Sequence, residues 1–305
     1  MDSTLLHLLA SIDGWQICAI LIKAMTYATC LTVSGGVFFL MIFAAYLDAA
    51  EVHTIKRFTG VMTLIAAALS IARIFMMSGM LSDDLRGMWD IQFLHMVLGS
   101  KEGLALSLRL PCLFLLAIWA HAGERNIHPA LSLLAALLTS ASFSAVGHVN
   151  ELEGETRLLA QLFIVLHVLA VSFWVGALWP LLHITYDRNT LQVAAIAHQF
   201  SKLAVIIVGI LLLAGASLLW LLQSFSAKAW QAEYGQLMIL KLVSVSLLSG
   251  LAALNKCRLT PQLRHGEQSA IATLRLSIVM EMVVAGIILL ITASFTTITG
   301  PAATG

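Results

Sequence analysis

Eight stretches of about twenty mostly apolar residues, divided by short charged turns, leave this chain few folds to choose from. A spanning helix needs roughly 20 such residues. In hydrocarbon each backbone N–H must find its acceptor inside its own segment, so an open-ended chain crosses lipid only as helices. The stretches run over about 16–47, 59–80, 103–121, 130–152, 158–182, 203–222, 236–255 and 276–298. Between them stand DAAEVHTIKRF, SDDLRG, HAGERNIHP, ELEGETR, HITYDRN, SFSAKAWQAEYG and NKCRLTPQLRHGEQ. Hydrophobic residues are 60% of the 305 and charged ones 11%, too few to coat a soluble surface. The expected fold class is all-α, a polytopic membrane helical bundle of about eight transmembrane helices. It forms a single integral membrane domain over 1–305. The N-terminal MDSTLLHLLASIDGW carries Asp2 and Asp13 where a signal peptide needs positive charge, so the first apolar stretch is expected to stay as a helix.

Orientation follows the asymmetry of Lys and Arg. Turns after spans one, three, five and seven hold Lys56, Arg57, Arg125, Arg188, Lys202, Lys256, Arg258, Arg264 and Arg275. The other set holds Arg86, Lys101, Arg157, Lys228 and Lys241. Nine against five places both termini outside, with the acidic loops DDLRGMWD and NELEGETR on the same outer face. Inside the 81–101 connection, MWDIQFLHMVLG puts Trp89, Phe93, Met96 and Val97 on one helical face and reads as an interfacial helix.

Ionisable residues within spans are the first functional candidates, with structural ion pairs as the competing reading. They are Lys23, Arg73, Arg109, His148, His167 and Glu281, with Glu102 and Lys241 near outer span ends. Arg109 and Glu281 are read either as structural charges or as parts of an ion path. For Glu281 a basic partner is expected at the inner ends. His148 and His167 sit on adjacent spans that turn near Gly154. If both spans are helical up to that turn, the two imidazoles differ in depth by about 10 Å. One small ion cannot then bind both at once, and successive stops are expected, with Ser144 one turn below His148 on its face. Arg73, Met76, Met77 and Met80 share a face at the outer end of span two, followed by His95 and Met96. Thioethers suit Cu(I) and imidazole suits either copper state, although methionine is also common packing material.

Other chemistries lack their signatures. The chain has no GxxxxGK[ST], no Rossmann fingerprint and no intramembrane CPC pair. Cys18, Cys30, Cys112 and Cys257 are scattered without zinc spacing, so neither a zinc site nor a disulfide is expected.

VGHVNELEG followed by LHVLAVSFWVGALWPLL resembles the Gly-His and His-x-x-x-x-x-x-Trp-x-Gly-x-Leu signature of the CopD family of copper resistance proteins. FSKLAVIIVGILLLAG, YGQLMILKLVSVSLLSGLAALNK, LRLSIVMEMVV and TASFTTITGP continue the resemblance in order, and VLGSKEGLALSLRLP fits it more loosely. It covers about 95–301, with the first ninety residues similar mainly in hydropathy. Ala177 stands where a second glycine after Gly176 is expected. The resemblance implies a multi-pass protein of the bacterial inner membrane that moves copper ions, beside a CopC-type periplasmic copper-binding partner. It carries His148 and His167 as the family's histidines; the methionine stripe is a separate reading from spacing.

The function expected is copper uptake from periplasm to cytoplasm by ligand exchange, without ATP and without catalysis. Two alternatives stay open: a b-type haem oxidoreductase with axial histidines, and a non-transporting factor that hands copper to an oxidase.

Overall fold

The computed structural model describes residues 13–121, 128–147, 149, 152–222 and 233–298. Helix α1 (Gly14–Phe43) begins at Asp13, whose carboxylate accepts from the Gln16 N–H while the Gln16 side chain accepts from the Asp13 N–H. Helix α2 (Ala49–Ser82) begins with the same reciprocal box at Asp48 and Glu51. There follow α3 (Ile91–Leu98), α4 (Lys101–His121), α5 (Pro129–Ala141), α6 (Gly154–Asp187) and α7 (Thr190–Leu222). Helix α8 (Glu233–Leu254) runs through a π turn (Asn255–Leu259) into α9 (Thr260–Arg264), and α10 (Ser269–Ile298) closes the bundle. Among the described residues there is no strand. Among the described residues seven helices are long and apolar enough to cross a membrane, and the fourth position in the series holds the shorter apolar helix Pro129–Ala145. The expected all-α polytopic bundle is what the chain forms.

Helix α1 is the centre of the bundle, packed along α2, α5, α6 and α10. Small residues allow this. A Cβ placed on Gly176 would stand 2.3 Å from the Gly35 Cα, and one on Gly35 would stand 1.9 Å from the Ser172 carbonyl oxygen. Without those side chains the α1 and α6 backbones touch, which is how helices associate where lipid removes the hydrophobic drive. Around the crossing, the Ser34 hydroxyl donates to the Ala136 carbonyl at 3.0 Å and the Ser140 and Ser172 hydroxyls lie 2.9 Å apart. Ala177, where a glycine is expected, is fully buried.

Two expectations need correction. The span expected over 130–152 leaves α-helical form at Ala141, passes through a single 3₁₀ turn (Ser142–Ala145), and meets Gly147 at φ +99°. The reason is local: the Ser142 and Ser144 hydroxyls donate to the Thr139 and Ala141 carbonyls, both at 2.7 Å, and compete with the helical ladder. The continuous helical face joining Ser144 to His148, and the depth count built on it, therefore fall. His148 itself lies outside the described residues. The interfacial segment is also split, because the Asp90 carboxylate caps α3 after a separate turn at Leu85–Trp89. Val97 is buried and Phe93 half-buried, while Met96 and Trp89 are exposed, so the four do not share one face.

Candidate functional site

The ends of the bundle differ in charge. One, called the basic end here, carries Lys56, Arg188, Lys202, Lys256 and Arg264; the acidic end carries Asp83, Asp84, Asp90 and Glu153. His167 lies on α6, half-buried against α7. Its Nδ1 is 3.3 Å from the Leu211 carbonyl oxygen. That oxygen can only accept, so Nδ1 carries the proton and the Nε2 lone pair is left to coordinate. Gly215, one turn beyond Leu211, leaves room for the ring: a Cβ there would meet the imidazole at 3.4 Å. Farther toward the acidic end on the same two helices, Val149 is buried with Ala160 of α6 and Leu218 of α7. Ala160 precedes His167 by seven residues, about 10 Å along a helix.

The methionines are elsewhere. Met76 is buried and Met77 and Met80 are half-buried near the acidic end of α2, while His95 and Met96 are exposed on α3. Helix α1 packs along both α2 and α6. Helices α2 and α6 meet toward the basic end, where Phe58 stacks on Trp179 at 3.8 Å and Trp179 on His183 at 5.3 Å. The structure thus gives the methionine stripe no described contact with His167. Among the described residues no three His, Cys, Asp or Glu side chains come together as a metal cluster.

Arg73, at the head of that stripe, makes an ion pair with Glu102 of α4. Nearby, the Lys23 ammonium donates to the Thr296 carbonyl at 2.8 Å and to the Thr297 hydroxyl at 3.4 Å, tying α1 to α10. One level deeper, Arg109 donates from Nε to the Ser142 hydroxyl at 3.0 Å and lies over the Phe143 ring at 4.2 Å. These three cations hold helices together; Arg109 uses the 3₁₀ turn that ends α5.

Glu281 departs from its expected pairing with a basic group. It is buried on α10 and accepts from two neutral donors, the Trp174 indole N–H at 3.0 Å and the Asn255 amide at 2.5 Å. Trp174 comes from α6, about two turns beyond His167, and Asn255 from the π turn. A cavity of about 290 Å³ opens beside this trio toward the basic end, walled by Leu178, Ile196, Phe200 and Ile278 and reached by Cys257. The Asn255 side-chain oxygen Oδ1 and the Ser277 hydroxyl are buried without a hydrogen-bond partner. Two oxygens beside the Glu281 carboxylate are thus left with lone pairs that a cation or a proton could use.

Sequence reasoning missed one joint completely. The Arg188 guanidinium, just past α6, donates to Glu51 at 2.6 and 2.5 Å, and Asp48 lies at 3.8 Å. Glu51 thus closes the α2 capping box and clasps α6 with one carboxylate. Its hydrogen bond holds the Arg188 pKa above the ordinary guanidinium value, so the clasp stays charged. The D-x-x-E spacing of Asp48 and Glu51 announced the box but not the second partner.

Residues 194–295 match the family model of copper resistance protein D, and residues 12–158 match the N-terminal domain model of copper resistance protein D-like proteins. No curated protein and no solved structure matches the chain. His167 and Trp174 fall in the interval 159–193 between the two matches, whereas Glu281 and Asn255 fall inside the first and Arg73, Glu102 and Arg109 inside the second. Matched over both of its halves, the chain belongs to the CopD family of copper resistance membrane proteins.

Proposed function

We propose that this protein carries copper ions across the bacterial inner membrane, from the acidic, periplasmic end to the basic, cytoplasmic end, as a conduit and not as an enzyme. The observation that carries the reading is the His167 ring. Its Nδ1 proton is committed to the Leu211 carbonyl, which fixes the tautomer and presents Nε2, the arrangement metal-binding histidines require. His148, the other histidine of the Gly147–Leu182 signature, is taken as a second stop.

In this account copper arrives from a CopC-type periplasmic protein and meets the exposed His95 and Met96 and the thioethers of Met76, Met77 and Met80. It passes His148 and His167 by exchange of one or two ligands at a time. Few ligands per stop is a functional demand, since a site that binds too tightly cannot conduct. Glu281 then receives the charge beside the cavity at the basic end. No ATP is used.

X-ray absorption at the copper edge tests the ligands. Purified protein loaded with Cu(I) is expected to show imidazole scattering that His148→Ala with His167→Ala removes. Unchanged scattering in the double variant would falsify the role of the histidines. A Soret band in the purified protein would favour the haem oxidoreductase instead.

A further inference from the structure

Helix α7 is 33 residues long, about 50 Å, whereas the hydrocarbon layer is about 30 Å thick. Its continuous apolar stretch is 203–222, so residues 190–202 stand at the level of the lipid headgroups at the basic end. There a groove of about 340 Å³ runs between the start of α7, the turn after α1 and α9, lined by Tyr46, Leu191, His198, Gln199 and Arg264 among others.

Positive charge gathers at the groove, where Arg264 and His198 are part of the lining and Lys202 and Lys256 lie near His198. His198 is within electrostatic reach of Lys202, Arg264 and Lys256, and no carboxylate acts on it. Among the described residues none of these four joins an ion pair. Glu267, three residues past Arg264, is exposed and forms no ion pair with it. The polar groups of the lining, a phenol, an imidazole, a carboxamide and a guanidinium, can all donate hydrogen bonds. Leu191, 63% exposed, and the flanking Ala194 and Ala195 supply an apolar wall beside them.

We infer that this groove binds the phosphate headgroup of an anionic phospholipid of the surrounding leaflet. The Arg264 fork holds the phosphate, the charges of Lys202 and Lys256 near His198 add to its attraction, and the Leu191 wall takes the first methylenes of the lipid. The headgroup level of the groove and that wall select a lipid over a free anion. Basic pockets between membrane helices recognise headgroups by this chemistry. Like charges that repel one another in the empty groove are then drawn together, fixing α7 against α9.

Native mass spectrometry of the full chain in a neutral detergent tests this, with phosphatidylglycerol and phosphatidylcholine added in equal amounts. Phosphatidylglycerol is expected to be retained preferentially, and the preference to fall by about fivefold for each basic residue removed in Lys202→Gln, Arg264→Gln and their combination. The single variants keep the test valid if the double variant does not fold. Arg86→Gln, at the acidic end, is expected to leave the preference intact. Equal retention of the two lipids by the unaltered protein would overturn the inference, as would a preference that all three groove variants keep. Displacement of the phosphatidylglycerol by millimolar inorganic phosphate would also overturn it, assigning the groove to a free anion.

Discussion

The two sides of the bundle handle buried charge differently. On the side of α1, α2 and α4, Arg73 pairs with Glu102, Lys23 with Thr296 and Thr297, and Arg109 with Ser142 and the Phe143 ring. Each cation there joins two elements and is spent on holding them. On the side of α6, α7, α8 and α10, His167 has one long hydrogen bond, and Glu281 has two neutral donors, a cavity and orphaned acceptors beside it. A charge balanced by a fixed countercharge costs much to disturb. A carboxylate held by neutral donors can exchange a cation or a proton with far smaller loss. The first side therefore reads as framework; on the second, where Arg275 also ties α10 to Thr185 of α6, the stretch from His167 to Glu281 reads as the place where an ion can move.

The largest effect should come from breaking the framework. Arg73→Ala strands Glu102 and is expected to cost about 3–5 kcal/mol in reversible unfolding in detergent. Arg73→Leu with Glu102→Leu should recover most of that loss, and copper flux per folded molecule should survive in the double variant. Equal flux losses in this variant and in Glu281→Gln would erase the distinction between the two sides.

Next comes the α1–α6 crossing. Gly176→Leu drives a side chain into the Gly35 backbone and should destabilise by about 1–3 kcal/mol or more, read as a lower unfolding temperature. Glu281→Gln keeps the volume but leaves the Trp174 or Asn255 donor without an acceptor. A loss of about 1–3 kcal/mol is the upper range for such a group, and here copper flux should fall more than stability does. The smallest effect belongs to Ser172→Ala, which removes the hydrogen bond to Ser140 at about 0.6 kcal/mol and should leave flux unchanged.

Helix content was legible because hydrocarbon permits one solution for an apolar run, and seven of the eight expected runs are long spanning helices among the described residues. The fate of 130–152 was not. Its apolar residues continue, but serine hydroxyls that bond back to the chain and Gly147 at positive φ end the helix early. Apolar periodicity does not register that competition. For the site, position was legible and partnership was not. Arg73 and Glu102, 29 residues apart, and Trp174 and Glu281, 107 apart, are joined only by the way helices pack, which no spacing encodes. The expectation of a basic partner for Glu281 failed for a physical reason: the π turn brings Asn255 and not Lys256 to its carboxylate.

Copper flux into proteoliposomes holding this protein alone, without ATP, tests the account most directly. Copper entry is expected with the unaltered chain and its loss in His148→Ala with His167→Ala, at equal amounts of folded protein. Entry at the same rate in the double histidine variant would contradict it.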